Sequence, residues 1–440
     1  MQPGPVEILQ KLLRFDTTNP PGNEGDCIAF VSGLLGAAGI EHMILESPGG
    51  RPNLVARTPG RGEAPPLLLY GHADVVTVEG QPWSRDPFGG ELHEGYVWGR
   101  GALDMKGGVA MMLSAVMRCA GRGSRPPGDV LLAIVADEES GGEEGAGFLA
   151  DRHGNLFHGV RHALGEFGGF SVNVSGKRLY PVQVAEKQVC WMRAVFRGPG
   201  GHGSMPVKNG AIARLAQFLR RLEARRLPLH VTPHARLMFD AVSESLGGLR
   251  GLACRLAAVP LLTDFLLERA GVLGRFAAPV LRNTATPTTL RGSGSMNVIP
   301  GEASAGLDGR LLPGFSPEDL MREIGAVAGR PDEFEVVRFY PGPPEPDMSL
   351  FGLLAETLRE ADPGADAVPF FLAGATDAHH FSRLGIQTYG FLPMPLPAGF
   401  DFIGTVHAAD ERVPAEAVEF GAEMMARVIG RMRAGDLRRL

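Results

Sequence analysis

The run Val130-Leu131-Leu132-Ala133-Ile134-Val135-Ala136 passes without a break into Asp137-Glu138-Glu139. A stretch so continuously apolar has no polar face, which predicts a strand covered on both sides. Leu67-Leu68-Leu69-Tyr70 runs in the same way into Gly71-His72-Ala73-Asp74. Buried strands that alternate with helical patterns imply an α/β sheet. Ligands of such sheets gather outside the carboxyl ends of the strands. His72 and the acids at 137–139 are both expected at such ends.

Helical spacing marks residues 6–15, through Val6, Ile8, Leu9, Leu12 and Leu13, and again 28–39. A Thr-, Asn-, Pro- and Gly-rich loop separates them. Residues 53–57 read as a further strand, and Gly107–Ala120 as a buried helix. Near residue 184 the pattern changes. Glu186–Arg197 reads as a strand, Gly198–Pro206 as a glycine-rich loop and Asn209–Arg226 as an amphipathic helix. Met296–Leu312 is predicted to be a β-hairpin turning at Pro300-Gly301-Glu302. Ser316-Pro317 starts a helix, with Ser316 as N-cap. Phe334–Phe339 is the last strand of this β-α-β-β-α-β unit. Residues 227–290, read as mostly helical, interrupt it. From 348 the α/β pattern resumes with a helix at 349–361, a strand at Thr388–Leu392 and a final helix from Pro414. The predicted division is 1–183 plus 346–440 for one domain and 184–345 for a smaller inserted α+β domain.

The 440 residues are 44% hydrophobic and 21% charged, as in globular chains of two or three domains. A formal charge of −6 argues against nucleic acid, which wants a basic face. Cys27, Cys119, Cys190 and Cys254 are scattered and form no C-x-x-C, as expected of a reducing, cytoplasmic setting. No signal-peptide pattern is evident at the N-terminus. Arg255, Pro260 and Asp264 interrupt the most apolar later stretch, so no membrane partner is expected.

Five segments carry chemistry in order: His72-Ala73-Asp74, Gly99 to Gly108, Asp137-Glu138-Glu139, Gly165-Glu166 and His407 to Arg412. They supply imidazoles and carboxylates, which suit a pair of divalent metals. Each is weak alone. A single His at a strand end is usually structural, and an acidic run is usually solvated. Gly99-x-Gly101 is followed by Asp104, so it fits no dinucleotide loop. Neither H-E-x-x-H nor G-x-S-x-G occurs. A purely structural zinc would favour Cys/His ligands.

In conjunction, these segments resemble the M20 family of dinuclear zinc peptidases and acylases. Similar stretches include Asp16 to Glu24, Gly203-Ser204-Met205-Pro206 after His202, Asn297-Val298-Ile299-Pro300 and Arg310 to Gly314. The resemblance spans nearly the whole chain and implies a mixed-sheet catalytic domain with an inserted lid and dimerisation domain. It implies two Zn2+ per chain, with Co2+ or Mn2+ as substitutes. His72 and Glu166 would hold one ion, Glu139 and His407 the other, and Asp104 would bridge them. Asp74 would fix the His72 ring, and a cis peptide would follow Asp104. Glu138 would be the general base, taking a proton from a metal-bridging water.

The resemblance also implies that His202 donates to the oxyanion. Asn297 and Arg310 would bind the substrate carboxylate, Arg through its bidentate fork. Gly374-Ala375-Thr376-Asp377 resembles the family's glycine loop near the substrate. Relatives often carry Arg two positions after this Asp; here His379 stands there, followed by His380. Gly374 and His379 are therefore candidate substrate contacts. The expected reaction is hydrolysis of an amide next to a free carboxylate, in N-acyl-amino acids or small peptides, by a homodimer. The alternatives are a dipeptidase or carboxypeptidase of the same family and a metal-containing binding protein without catalysis.

Overall fold

The structure, a computed structural model, describes residues 2–121, 125–269, 274, 277–343 and 345–433. The chain forms two compact units. One comprises Met1–Val184, Pro346–Phe370 and Thr376–Leu440, the other Ala185–Glu345 and Phe371–Ala375.

The first unit is built on a nine-stranded mixed sheet. Its centre is the strand Leu67–His72, parallel to Val130–Val135 on one side and to His162–Gly165 on the other. Gln387–Gly390 continues the parallel set beside His162–Gly165. Pro52–Thr58 and Glu41–Glu46 add antiparallel strands beyond Val130–Val135. Every residue of Leu67–His72 and Val130–Val135 is buried, as their unbroken apolar runs require. Leu68, Tyr70, Leu131, Ala133 and Val135 pack with Leu149, Phe157 and Phe381. The helix Lys106–Gly121 packs on Leu67–His72 and against the helices Pro5–Leu13 and Ala415–Arg431. Its first turns are small residues, and a Cβ at Gly107 would lie 2.2 Å from the carbonyl of Ala102. Among the strands that the sequence does not announce are Lys177–Glu186 and Ala365–Leu372. Each carries an internal proline, Pro181 and Pro369, which hides a strand signal.

In the second unit a four-stranded sheet runs in the order Thr284–Arg291, Glu302–Leu311, Gln188–Arg197, Glu333–Phe339. The helices Ala211–Ala224 and Pro317–Ala328 cover one face, with Phe196, Phe218, Leu307, Leu320 and Ile324 at the core. Ser316 caps the second helix by accepting from the amide of Asp319, as its sequence predicts. The predicted 296–312 hairpin is corrected. Val298–Ile299 pairs with Gly201–His202, whereas Glu302–Leu311 pairs with Gln188–Arg197 and Thr284–Arg291. The Pro300-Gly301 bend therefore passes the chain from one sheet to another. The true hairpin partner is Thr284–Arg291, which the mostly helical reading of 227–290 had absorbed. Its polar, Thr-rich sequence and Pro287, at a register shift on the sheet edge, disguise it. The helices Pro233–Leu246, Gly248–Leu256 and Pro260–Arg269 fill the rest of that segment. Residues 270–273 and 275–276 lie outside the described residues.

A buried lysine joins this segment to the base of the sheet. The Lys187 ammonium donates to the carbonyls of Pro279 (3.2 Å) and Arg282 (2.9 Å) and to Thr284 Oγ1 (3.0 Å). Burial, helped by the Arg310 charge, pushes it from 10.5 down to about 7. Between these values the unfolded chain binds a proton that the folded chain does not, so stability rises with pH there. Lys187→Met should destabilise the protein at pH 10 by about 1–3 kcal/mol, through its unpaired acceptors, and by less at pH 7, where the wild type bears the cost of burying the ammonium. The variant should also lose up to about 1.4 kcal/mol per pH unit of wild-type slope between pH 7 and 10. Urea titrations at several pH values measure both quantities.

Candidate metal centre

Parallel register brings the chemistry to one edge of the main sheet. His72 ends its strand opposite Val135, and two residues on Asp137 adopts a left-handed conformation, φ 71°. That reversal starts the short helical turn Glu138–Ser140 and turns both glutamates back over the sheet edge. Glu166 follows the end of His162–Gly165. Asp104 lies just before the helix Lys106–Gly121, and its peptide bond to Met105 is cis. His407, φ 62°, follows the short helix Phe402–Thr405.

Asp104 stands between two imidazoles. Its Oδ1 is 3.1 Å from His72 Nε2 and its Oδ2 is 3.2 Å from His407 Nε2. Glu166 Oε2 lies 3.4 Å from the same His72 nitrogen, and Glu139 Oε1 lies 3.2 Å from that of His407. Glu138 Oε2 is farther from His72, at 3.9 Å. The structure thus gathers His72, Asp104, Glu138, Glu139, Glu166 and His407 in one cluster. His202, Asn297, Arg310 and Gly374 belong to the second unit.

Asp74 organises the cluster from behind. Its Oδ1 accepts from the amide of Glu138 (3.2 Å) and its Oδ2 from the amide of Glu139 (3.1 Å) and from Asn19 (2.8 Å). His72 Nδ1 lies 3.0 Å from the Asp74 carbonyl. A carbonyl only accepts, so Nδ1 carries the proton. Nε2 meets the oxygens of Asp104 and Glu166, acceptors that only a proton or a cation at that nitrogen can satisfy. His407 faces Asp104 and Glu139 in the same way. Glu166 Oε1 is buried without a hydrogen-bond partner among the described residues. Four carboxylates and two imidazoles, with no thiolate, are suitable donors for two borderline divalent ions. The residues present therefore fit such a pair.

The electrostatics reflect the same crowding. Burial first, then the Glu166 charge, raises the Glu138 carboxyl well above the ordinary range. Burial pushes Glu166 up to about 7, against the pull of His72. Hydrogen bonds to Asp104 and Glu139 raise His407 to about 10. These are the environments that divide roles among neighbouring carboxylates.

Sequence reasoning passed over two further groups. Glu411 is fully buried, and its Oε1 accepts from the amides of Gly101 (3.1 Å), Leu103 (2.8 Å) and Asp104 (3.2 Å). Its Oε2 accepts from Arg100, itself fully buried. The signal available was an arginine set between two glycines and a late glutamate of opposite charge. Asp377 is also buried, with neither oxygen hydrogen-bonded among the described residues, against the glycine turn at Gly142. His379 faces inward: its Nδ1 is 2.5 Å from the Thr376 carbonyl, and its ring lies 3.9 Å from that of His380.

In the second unit His202 and Asn297 are neighbours on an exposed ribbon, since His202 pairs with Val298 and Gly203 donates to the Asn297 carbonyl. Ser204 Oγ holds His202 Nδ1 at 2.8 Å. The Arg310 fork is engaged by Asp308, at 2.8 and 3.2 Å.

Residues 68–431 match peptidase family M20/M25/M40. The succinyl-diaminopimelate desuccinylase of Paracoccus denitrificans is 29% identical over 98% of both chains. The N-fatty-acyl-amino acid synthase/hydrolase PM20D1 of Xenopus tropicalis is 27% identical over 83% of this chain and 72% of its own. The crystal structure of an M20 family metallo-carboxypeptidase, Sso-CP2 from Sulfolobus solfataricus, superimposes with a TM-score of 0.67 over 97% of this chain and 98% of that one, at 18% identity. The mixed α/β architecture expected from the sequence is the one these proteins share. The chain belongs to peptidase family M20/M25/M40 and is a hydrolase of amide bonds.

Proposed function

We propose that this chain is a dinuclear zinc-dependent hydrolase that cleaves an amide bond next to a free carboxylate, in N-acyl-amino acids or small peptides. The observation that carries the reading is Asp104, with one oxygen toward each imidazole. His72 and Glu166 would hold one ion, Glu139 and His407 the other, and Asp104 both. When bound, the ions polarise a carbonyl and acidify water. Glu138 takes a proton from water at its carboxylate and returns it to the departing amide nitrogen. Asp74 and the Arg100–Glu411 pair keep the ligands in place.

We assign to the inserted unit the oxyanion donor His202 and the carboxylate anchors Asn297 and Arg310. For Arg310 the substrate must displace Asp308. A homodimer through the inserted unit is supported by its exposed edge strand Thr284–Arg291, where Leu290 is 66% exposed. Cytoplasmic residence suits four cysteines none of which forms a disulfide. No helix among the described residues is long and apolar enough to cross a membrane. The desuccinylase and the N-fatty-acyl-amino acid hydrolase support the deacylase branch, while a probable carboxypeptidase S-like 2 of Dictyostelium discoideum, 30% identical over 79% of this chain, supports the carboxypeptidase alternative.

The test is metal content together with a panel of N-acetyl-amino acids and dipeptides. Two equivalents of zinc per chain are expected, with amide hydrolysis that a chelator abolishes and zinc, cobalt or manganese restores. Absence of chelator-sensitive hydrolysis across the panel would return the chain to the binding-protein reading.

A further inference from the structure

The two imidazoles of the metal centre are held in unlike ways. His72 ends a fully buried strand, its side chain is 1% exposed, and its ring rests on the Asp74 carbonyl. His407 stands in the turn between the helix Phe402–Thr405 and the strand Arg412–Pro414, with its side chain 45% exposed. Two residues of that turn, His407 and Asp410, have left-handed backbones, with φ 62° and 61°. That conformation is uncommon outside glycine and persists where the surroundings hold it. Here the loop of residues 77–87 does so. Gln81 Nε2 donates to the His407 carbonyl (2.9 Å), and the amide and hydroxyl of Ser84 both donate to Asp410 Oδ1 (2.8 and 2.9 Å).

Gln81 is itself fixed. Its Oε1 accepts from Arg100 Nη2 (2.6 Å) and from Trp83 Nε1 (3.2 Å). Guanidinium and indole nitrogens only donate, so the amide oxygen must face them and the amide nitrogen must face the His407 carbonyl. The Arg100 guanidinium also lies 5.2 Å from the Trp83 ring centroid, which closes the group. All of these residues belong to the first unit.

We propose that Gln81 is a positioning residue of the metal centre: by fixing the His407 carbonyl it sets the affinity of the ion that His407 and Glu139 hold. The inference rests on the division of ligands proposed above. A ring presented by a turn depends on how the peptide groups of that turn point, and Gln81 holds the one that follows His407. The ion of His72 and Glu166 is held instead from strand ends, which parallel register fixes. Without Gln81, Arg100 keeps Glu411 and the His407 carbonyl as acceptors, so the loop that presents Asp104 stays in place.

The experiment titrates zinc into the metal-free full chain against a competing chelator. Wild type should bind two ions. Gln81→Leu should weaken one of them about 10–100-fold, the effect of removing a group that orients a ligand, and leave the other unchanged. Gln81→Glu, equal in size and still a partner for Arg100, should weaken the same ion, because a carboxylate cannot donate to the carbonyl. In a His407→Ala background, which removes that ion, Gln81→Leu should have no further effect. Melting temperatures of the metal-free variants identify any that fail to fold, and if the leucine variant does, the isosteric glutamate carries the comparison. Folded variants that bind both ions as tightly as wild type overturn the inference while the dinuclear reading stands. So does equal weakening of both ions, the mark of a merely loosened fold, or wild-type affinity in Gln81→Glu, which would place the effect in Arg100. Fewer than two ions in the wild type overturns the dinuclear reading, and this inference with it.

Discussion

Glu138→Ala is expected to lower kcat by about 10²–10⁴, the contribution of a positioned general base, while both ions stay bound. The separation of the two effects follows from geometry. Asp104 and Glu166 approach His72 Nε2 at 3.1 and 3.4 Å, whereas Glu138 stays at 3.9 Å. Its backbone is fixed independently, since Asp74 accepts from its amide. Removing the side chain therefore takes away a proton carrier and leaves the turn and its neighbour Glu139 in place. Glu138→Gln should be equally inactive, because an amide keeps the shape but cannot take the proton. Single-turnover assays with metal analysis of the same sample measure both outcomes. Loss of an ion along with activity would move Glu138 into the ligand set.

Glu411→Ala should destabilise the protein by about 3–5 kcal/mol and strip metal from the centre, although Glu411 sits behind the cluster. Three backbone amides donate to this one carboxylate, which also forms the ion pair of the buried Arg100 guanidinium; Arg100 donates besides to Gln81 and the His407 carbonyl. Its removal leaves an uncompensated charge at Arg100 and unpaired N–H groups in the loop that presents Asp104. Adding Arg100→Met should recover part of the stability, because the unpaired buried charge goes with it. It should not recover metal binding, because the amides of Gly101, Leu103 and Asp104 remain unpaired. Denaturant titration and metal stoichiometry on the two single variants and the double variant resolve the two consequences. Equal recovery of stability and metal would show that charge alone shapes the loop.

These two residues also show how far local pattern reaches. Glu138 was legible because an unbroken apolar strand delivers it to the rim of the sheet, where period and burial are local properties. Glu411 stood in the sequence beside a recognised His and Asp, yet its work is done 307 to 311 positions away, at Asp104 and Arg100. Nothing in local spacing announces such a contact. The same limit explains the inserted unit. Its β-α-β-β-α-β order was readable, but the partner of Glu302–Leu311 was not. An edge strand with a proline and many threonines has little apolar alternation to betray it.

The sequence alone determined that two imidazoles and several carboxylates lie at strand ends and glycine turns, because strand burial and turn chemistry are decided within a few residues. Only the tertiary structure decided which oxygen faces which nitrogen. That assignment depends on parallel register between Leu67–His72 and Val130–Val135, on the left-handed turns at Asp137 and His407, and on a buried carboxylate holding the Asp104 loop from behind. Each of these joins segments far apart in the chain, where pairing is settled by packing and by the need to satisfy buried polar groups.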